Sequence, residues 1–211
     1  MNKTAWSSEV QDRDEQYRLK RLALLRTAAQ AFNESGFHQT SLNDLAKRLN
    51  VTKPTLYHYI KNKDEILLAC QQMALDRMQE VLYNVENSGE NGLEKIKLFM
   101  RRYAEVVVED FGICMVMSGD LPLETESREI IAEQRGVLDG AIRNLIRQGI
   151  ADGSITSCDP RLATFALFGA FNWITHWYRG EGKLRPRQIA DQFLDLFEHG
   201  LSARVPAPDH T

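Results

Sequence analysis

The chain has 211 residues, of which 43% are hydrophobic and 26% charged. This composition excludes a disordered or collagen-like chain and suits a small domain followed by a larger one. It contains no run of about 18 apolar residues that could cross a membrane, and residues 1–16 are polar and acidic with no apolar signal core, so we expect a cytoplasmic protein.

Charge is distributed unevenly along the chain. Residues 1–66 hold 11 Lys and Arg against 8 Asp and Glu, whereas residues 67–211 hold 15 against 21. The formal net charge of -3 therefore hides a basic N-terminal segment, and within residues 17–66 the excess of basic residues reaches +5. A basic segment on an otherwise acidic chain predicts an anionic partner for that segment.

The first helical pattern starts at Tyr17. Apolar residues recur at three- and four-residue steps as far as Phe32, and Gly36 follows where a C-terminal cap is expected. The pattern predicts a helix over residues 17–35, preceded by a mobile tail over residues 1–16.

Two short helices are predicted next. Ser41 can cap the first of them, with Asp44 at the capping-box distance, and one face carries the apolar residues as far as Leu49. Thr52 can cap the second, which has Pro54 in its first turn and runs to about Tyr59. Two short helices joined by a tight turn predict a helix-turn-helix whose second helix can lie in the major groove of DNA.

Helical segments continue to the end of the chain. One is predicted from Lys63 to about Asn87, with a single apolar stripe from Leu67 to Val85. The segments 106–108 and 112–117 would suit a strand equally well, but no partner strand is visible, so helix or loop is favoured. The sequence predicts an all-α fold of about nine helices, the later ones at residues 96–108, 130–150, 162–178 and 189–201.

The predicted third helix has a surface suited to DNA. Leu56 and Ile60, with Val51 in the turn, are expected to lock the helix pair against the first helix. The side chains that remain outward are Lys53, Thr55, Tyr57, His58 and Tyr59.

These outward side chains offer several contacts to a duplex. Lys53 can donate to a guanine edge or a phosphate, Thr55 offers a hydroxyl and a methyl group near a thymine, and tyrosines can donate to phosphates. For His58, a phosphate contact and an ordinary exposed position are equal alternatives. Phosphates also favour helix N-termini, and three such ends lie at or beside Ser41, Thr52 and Lys63.

The run SLNDLAKRLNVTKPTLYHYIKNK from Ser41 to Lys63, with the preceding GFHQT from Gly36 to Thr40, resembles the helix-turn-helix of the TetR family. The resemblance covers about residues 17–67. It implies a homodimeric, ligand-released repressor in which the last two helices of each subunit pair into a four-helix bundle. It also implies base contacts by Lys53, Pro54, Thr55 and Tyr57 and phosphate contacts by Thr40, Thr52, Tyr59 and Lys63.

This interpretation divides the chain into a DNA-binding domain over residues 17–62 and a ligand-binding and dimerisation domain over residues 63–204. Residues 1–16 and 205–211 are the expected mobile tails. The expected partners are an operator duplex, a second copy of the chain and a small-molecule effector, with no membrane, metal or cofactor.

A second likeness lies near the C-terminus. The run FNWITHWYRGEGKL from Phe171 to Leu184 is similar to an Asn-Trp…Trp-Tyr…Gly segment of TetR members that sense acyl-CoA thioesters. This similarity implies an apolar or acyl-CoA-type effector between helices. The alternative is that these aromatic residues form plain core or subunit interface. The candidate ligand residues are Phe99, Tyr103, Met115, Trp173, Trp177, Tyr178 and Lys183.

Three other functions are weaker alternatives. An enzyme with an appended helix-turn-helix lacks a visible nucleophile, metal or cofactor motif, and Cys70, Cys114 and Cys158 match no metal-ligand spacing, so we expect them to be reduced thiols, mostly buried. An architectural protein that coats DNA without a ligand would need basic charge throughout. A regulator that activates transcription instead of repressing it is left open by the sequence.

Overall fold

The computed structural model describes the backbone of residues 3–201 and the side chains of residues 13–201. Within these ranges the chain forms ten helices and no strand. The helices are α1 (Lys3–Ser35), α2 (Leu42–Arg48), α3 (Lys53–Tyr57), α4 (Lys63–Glu86), α5 (Gly92–Val107), α6 (Asp110–Ser118), α7 (Thr125–Asp152), α8 (Pro160–Asn172), α9 (Ile174–Trp177) and α10 (Pro186–His199).

Helix α1 begins well before the start that periodicity predicts. It extends from Lys3, so residues 3–16 continue the helix instead of forming a separate tail. Its sequence contains no Gly or Pro and is rich in Glu, Gln, Lys and Arg, which favour helix without burying an apolar face. A search for apolar periodicity misses such a polar extension. The other expected tail, residues 205–211, lies outside the described residues.

The first three helices share a small core. Leu25 and Phe32 of α1 pack with Leu45 of α2 and with Leu56 and Ile60, all nearly or completely buried. This set accounts for the local fold, because each short helix contributes an apolar side that α1 covers.

The turn between α2 and α3 is tight because Asn50 adopts the left-handed conformation, with φ of 53°. Asparagine tolerates this conformation better than most residues, and the Val51 N–H then closes the turn on the Ala46 carbonyl at 3.0 Å. The Val51 side chain is 38% exposed. It lies in a cleft with Leu24 of α1 and with Leu56, so it packs only partly between the helix pair and α1.

Helix α4 connects the helix-turn-helix to the remaining helices. The predicted stripe on α4 is buried, including Leu67, Cys70, Ala74 and Met78, and it packs against α5, α6 and α7. Helix α10 covers α5, and α8 lies on α7. The larger domain is thus a helical layer structure around a core shared by α4, α5 and α7.

Helix α1 also contacts the larger domain directly. The Asn33 amide donates to the Asp110 carbonyl and the Gln30 amide to the Asp110 carboxylate, each at 2.9 Å. The Cys70 thiol of α4 donates to the Leu25 carbonyl at 3.4 Å. One helix therefore carries part of the cores of both domains.

The two stretches that would suit a strand are helical. Val106 and Val107 end α5, and residues 112–117 lie in α6. A Cβ atom at Gly112 would stand 2.0 Å from the Val106 carbonyl oxygen, so the α5–α6 corner closes only around a glycine. Valine clustering misleads here because tertiary packing overrides strand propensity.

The N-terminus of α5 is fixed to the C-terminal end of α7. Asp152 accepts from the Gly92 N–H at 2.8 Å, and Ser154 accepts from the Leu93 N–H at 3.1 Å. Hydrogen bonds from the Ser154 hydroxyl and from the backbone N–H groups of Gly92 and Ser154 lower the pKa of the Asp152 carboxyl. A Cβ atom at Gly92 would lie 2.1 Å from the Gly149 nitrogen, so the two helices cross at backbone distance.

The helix expected over residues 162–178 is interrupted at Trp173. The Thr175 hydroxyl donates to the Asn172 carbonyl at 2.9 Å, and the His176 N–H donates to the Trp173 carbonyl at 3.1 Å. Such local bonds compete with the regular helix pattern and divide α8 from the single turn of α9. The interruption changes the direction of the aromatic residues that follow it.

Candidate nucleic-acid interface and effector cavity

Helix α2 begins with the complete capping box that the sequence predicts. The Ser41 hydroxyl oxygen accepts from the Asp44 N–H at 3.2 Å, and the Asp44 carboxylate accepts from the Ser41 N–H at 3.0 Å. Hydrogen bonds from the Ser41 hydroxyl and backbone lower the pKa of the Asp44 carboxyl. Ser41 is exposed, so this helix end faces solvent with its geometry fixed.

Helix α3 is capped by Thr52, whose hydroxyl oxygen accepts from the Thr55 N–H at 3.4 Å. The two threonine hydroxyls lie 2.8 Å apart. Pro54 occupies the first turn, where its missing N–H costs little. These local contacts fix a five-residue helix that would be too short to persist alone.

One exposed surface of α3 carries the expected base-reading residues. Tyr57 is 49% exposed, and the Lys53 ammonium lies 5.9 Å from the centre of the Tyr57 ring. We call this surface, formed by Lys53, Pro54, Thr55 and Tyr57, the recognition surface; all four residues are exposed. Its side chains combine a cation, hydroxyl groups and an apolar ring, which together can contact base edges and phosphates.

Tyr17 of α1 flanks the recognition surface, and sequence reasoning missed it. Its ring lies 4.9 Å from that of Tyr59, and its hydroxyl donates to the His58 carbonyl at 3.5 Å. Tyr59 is half-buried by this contact, whereas His58 is exposed. Tyr17 opens the apolar pattern of α1 and carries no local signal that it would reach the end of α3.

The phosphate contact expected of Thr40 is wrong. Thr40 is only 4% exposed, and its hydroxyl points inward, 2.9 Å from the Gly36 carbonyl oxygen and 3.2 Å from that of Ala31. Its single proton is used inside the fold, so the hydroxyl cannot donate to a phosphate. The chain turns from α1 into α2 here, and the buried carbonyls of the α1 end require a donor.

Lys63 lies at the corner between the α1–α2 connection and α4. Its ammonium is 4.1 Å from the centre of the Phe37 ring and donates to the His38 carbonyl at 3.5 Å. Partial burial lowers the pKa of Lys63. Asn62 caps α4 through the Glu65 N–H at 2.8 Å, so the cation sits beside a fixed helix N-terminus.

A cavity of about 300 Å³ lies in the larger domain between α4, α5, α6, α7 and α8. Most of its wall is apolar, and the Tyr103 hydroxyl donates to the Asn172 amide oxygen at 2.5 Å. Burial raises the pKa of Tyr103, so the phenol stays neutral. The lining residues are Leu75, Met78, Tyr103, Met115, Val116, Gly119, Arg135, Leu138, Asp139, Phe165, Phe168 and Asn172.

Two charged residues of α7 reach this cavity. The Arg135 guanidinium pairs with the Asp120 carboxylate, and it donates at 3.3 Å to the Gln71 amide oxygen and at 3.3 Å to the Met115 carbonyl. Asp139 pairs with Arg143 one turn later on the same helix. The cavity thus combines an apolar wall with one guanidinium and one carboxylate, each already paired.

The last long helices expose apolar side chains. On α8, Leu162 and Phe165 are 64% and 50% exposed, and Trp173 just beyond it is 62% exposed. On α10, Leu196 and Phe197 are 42% and 46% exposed. Each of these helices therefore carries exposed apolar side chains of the kind that is typical of association surfaces.

Family comparison decides the class of this protein. The family model for the C-terminal domain of tetracyclin repressor-like proteins matches residues 89–201, more than half of the chain. The model for bacterial regulatory proteins of the tetR family matches residues 24–70, which contain α2 and α3. The chain belongs to the TetR family. It is therefore a DNA-binding transcriptional regulator, in accord with its helix-turn-helix.

Individual TetR-family proteins resemble it over nearly their full length. The fatty acid metabolism regulator protein of Bacillus subtilis (strain 168) is 25% identical over 193 residues, which cover 88% of this chain and 97% of that protein. The crystal structure of PfmR from Thermus thermophilus is 29% identical, with a TM-score of 0.79 over 85% of this chain and 99% of that one. AibR, solved in complex with isovaleryl coenzyme A and operator DNA, is 28% identical, with a TM-score of 0.77 over 83% and 96%.

In this TetR-family chain, the structure brings only part of the candidate ligand set to the cavity. Tyr103 and Met115 line it, and Phe99 is buried behind Tyr103 with ring centres 5.8 Å apart. Trp173 is exposed and stacks on His176 with ring centres 4.2 Å apart. The remaining candidates do not line the cavity; Trp177 and Lys183 are exposed, and Tyr178 is partly buried.

Several cavity residues had no clear signal in the sequence. Arg135 and Asp139 are two of several charged residues spread along α7, which together resemble an ordinary solvated face. Phe165 and Phe168 were visible as aromatic residues at helical spacing, but the same spacing also fits a subunit interface.

Cys70 and Cys114 are buried, whereas Cys158 is exposed. Among residues 3–201, no helix has the length and apolar character needed to cross a membrane.

Proposed function

We propose that this chain is a homodimeric repressor that binds a pseudo-palindromic operator and is released by a small effector carrying an acyl group. The observation that carries the proposal is the presence in one chain of an exposed recognition surface on α3 and a largely apolar cavity bordered by α4. Helix α4 connects the two directly. Because its partner is DNA, we expect the protein to act in the cytoplasm.

The recognition surface supports sequence-specific contacts in the major groove. Lys53 and Tyr57 are exposed next to each other, and Thr55 lies one turn from the capped start of α3. Ser41, Thr52 and Lys63 lie at or beside helix N-termini, where phosphates are attracted. We assign base contacts to Lys53, with Pro54, Thr55 and Tyr57, and phosphate contacts to Ser41, Thr52, His58, Tyr59 and Lys63.

The exposed apolar faces of α8 and α10 support pairing of two copies. Leu162, Phe165, Leu196 and Phe197 would be covered in a four-helix bundle formed by these helices and their symmetry mates. A two-fold dimer presents two recognition surfaces related by the same axis. The operator is therefore expected to contain two inverted half-sites.

The effector proposal follows from the cavity and from AibR. A volume of about 300 Å³ lies at the lower end of typical ligand sites and suits a short acyl group, with the remainder of a thioester outside. AibR, at 28% identity, was solved with isovaleryl coenzyme A and operator DNA. A bound acyl group acts by favouring a subunit geometry whose recognition surfaces no longer match successive major grooves.

Lysine substitutions test the DNA assignment. An operator is first selected from random DNA with the wild-type protein, and binding is then titrated at several salt concentrations. Lys53→Ala is expected to reduce discrimination between operator and random DNA. Lys63→Ala is expected to weaken binding to both and to reduce the salt slope by about one.

Lys95→Ala, on α5, is the matched control and is expected to leave both properties unchanged. Selection of no preferred sequence by the wild type would refute the operator proposal. Equal behaviour of all three lysine variants and wild type would refute the assignment of this surface.

Thermal unfolding in the presence of acyl-CoAs tests the effector proposal. We expect at least one short or branched acyl-CoA to raise the unfolding temperature, whereas coenzyme A alone does not. The same compound is expected to release the operator. A response to coenzyme A alone, or none to any thioester, contradicts the proposal.

A further inference from the structure

The connection between α6 and α7 links the cavity to the start of α4. We call residues 119–127 the coupling segment. At its first end, Asp120 pairs with the cavity residue Arg135, and the Gly119 carbonyl accepts from the Gln71 amide at 2.7 Å. Gln71 is completely buried in α4. This end is therefore held by groups that line or border the effector site.

The other end of the coupling segment is held by α4 itself. The Asp64 carboxylate accepts from the Glu124 N–H at 2.7 Å and from the Ser127 hydroxyl at 2.5 Å. Glu124, the residue that precedes α7, makes no capping bond with its own side chain, so Asp64 supplies the cap from another element. Asp64 directly follows Lys63, at the corner of the helix-turn-helix.

The coupling segment is stiff between these ends. Leu123 is 2% exposed, and its N–H donates to the Asp120 carbonyl at 3.0 Å. The Arg128 guanidinium donates to the Leu123 carbonyl at 2.9 Å. A displacement at Asp120 is therefore transmitted to Glu124 because a closed turn joins them.

We infer that the effector binds Arg135 through an acceptor oxygen, in place of Asp120, and that the freed coupling segment then releases Asp64 and the start of α4. This inference rests on the proposed function, because it assigns the chemistry and the coupling of the same cavity. The ligand class is an apolar molecule with a carboxylate or a thioester carbonyl.

The chemistry of the cavity favours Arg135 as the group that binds this oxygen. A guanidinium presents five donors, and in Arg135 Nη1 donates to Asp120 while Nη2 donates to Gln71 and to the Met115 carbonyl. Asp139, the other charged lining residue, carries the wrong sign for an acceptor oxygen and is paired with Arg143. An acceptor oxygen that reaches Nη1 from the cavity competes with Asp120 for the same donor group.

Release of Asp64 weakens operator binding for a defined reason. The helix-turn-helix then moves more freely relative to the larger domain. Binding to two half-sites at fixed spacing must fix its position again, and this loss of conformational freedom lowers the affinity for the operator. Loss of the negative charge at Asp64 alone would have the opposite effect, because it removes repulsion from phosphates. A drop in affinity in an Asp64 variant therefore reports the lost contact and not the lost charge.

A double-mutant cycle without any effector tests the coupling. Asp120→Ala breaks the cavity end, and Asp64→Ala breaks the α4 end. Each is expected to lower affinity for the selected operator about tenfold, the scale of one charge-assisted hydrogen bond. The double variant is expected to lose about the same tenfold, because both changes break one connection.

Glu105→Ala is the control for the cycle, since it removes a carboxylate paired with Arg102 at 2.9 Å on α5, away from the coupling segment. It is expected to change operator affinity less than about twofold. If Asp64→Ala does not fold, Ser127→Ala replaces it, because it removes one of the two bonds without a charge change. Single effects that multiply in the double variant, or single variants that bind like wild type, overturn the coupling.

Binding of probes to Arg135→Gln tests the ligand chemistry. The probes are the straight and branched carboxylic acids from acetate to decanoate, their coenzyme A thioesters and the matching alcohols. At least one acid or thioester is expected to bind wild type, and to bind Arg135→Gln at least about tenfold more weakly, while the alcohols bind both proteins alike. Binding by acids alone identifies a free carboxylate and contradicts the thioester effector of the proposed function, whereas binding by thioesters alone identifies the carbonyl.

Equal affinity of both proteins for every acid and thioester overturns the role of Arg135, and so does binding of none of them by wild type. Equal affinity leaves the proposed function standing, whereas binding of no acid or thioester by wild type also contradicts the proposed effector. Selection of no operator sequence by wild type contradicts the operator proposal instead.

Discussion

Thr40→Val separates a buried structural role from a DNA contact at the α1–α2 connection. Valine has nearly the shape of threonine but lacks the hydroxyl, which is 2.9 Å from the Gly36 carbonyl oxygen and 3.2 Å from that of Ala31. The change removes about 1 kcal/mol of net hydrogen bonding and leaves two carbonyls without this donor, so we expect a loss of about 1–2 kcal/mol in the free energy of unfolding. The helix-turn-helix stays assembled, because the packing volume is retained.

Two measurements on the Thr40→Val protein decide between the roles. Urea unfolding at equilibrium is expected to give the lower stability with an unchanged denaturant slope. Salt titration of operator binding is expected to give the wild-type slope, because no phosphate contact is lost. Unchanged stability together with a slope reduced by about one would refute the reasoning, since it would place the hydroxyl on a phosphate.

Three further predictions concern the larger domain. Gly92→Ala is expected to lower the free energy of unfolding by about 1–3 kcal/mol or more, because the added methyl group meets the Gly149 backbone at 2.1 Å. Chemical denaturation measures this loss, and a variant as stable as wild type would contradict the prediction. Asp152→Asn is expected to be less stable than wild type above pH 3.8. The difference in stability should shrink as pH falls through the lowered pKa of Asp152, because the wild-type carboxyl then becomes neutral. A difference that does not depend on pH would show that the carboxylate charge does not cause it. Phe197→Glu is expected to give a monomer in sedimentation and to lose operator affinity, whereas a dimer of unchanged stability would show that α10 does not pair the subunits.

Local chemistry explains which parts of the helix-turn-helix could be predicted. The caps at Ser41 and Thr52 involve partners three residues away, so the sequence displays both members of each contact. Pro54 marks a first turn by its own covalent structure. The recognition surface followed from these starts, because a helix with a known beginning and a known apolar side has only one outward side.

Contacts between distant segments explain what the sequence did not reveal. Thr40 resembles an exposed residue before a helix, and only the path of the preceding chain shows that its hydroxyl is needed by α1 carbonyls. Arg135 is one charge among many on α7 until the fold brings it to Asp120 and Gln71. The bond from Asp64 to Ser127 joins residues 63 positions apart, about as far as Arg135 is from Gln71. Periodicity and capping rules contain no information about such pairs, because they describe one element at a time.

The attachment of α1 to α4 and α6 limits how this regulator can be recombined with others. A fusion made at residue 62 would separate Leu25 and Asn33 from the Cys70 and Asp110 groups that bind them. The side of α1 that packs against α4 and α6 would then meet foreign helices of unmatched shape. A chimera that keeps the operator preference of this chain must therefore also contain the surfaces of α4 and α6 that face α1. The segment to be transferred is thus larger than the helix-turn-helix itself.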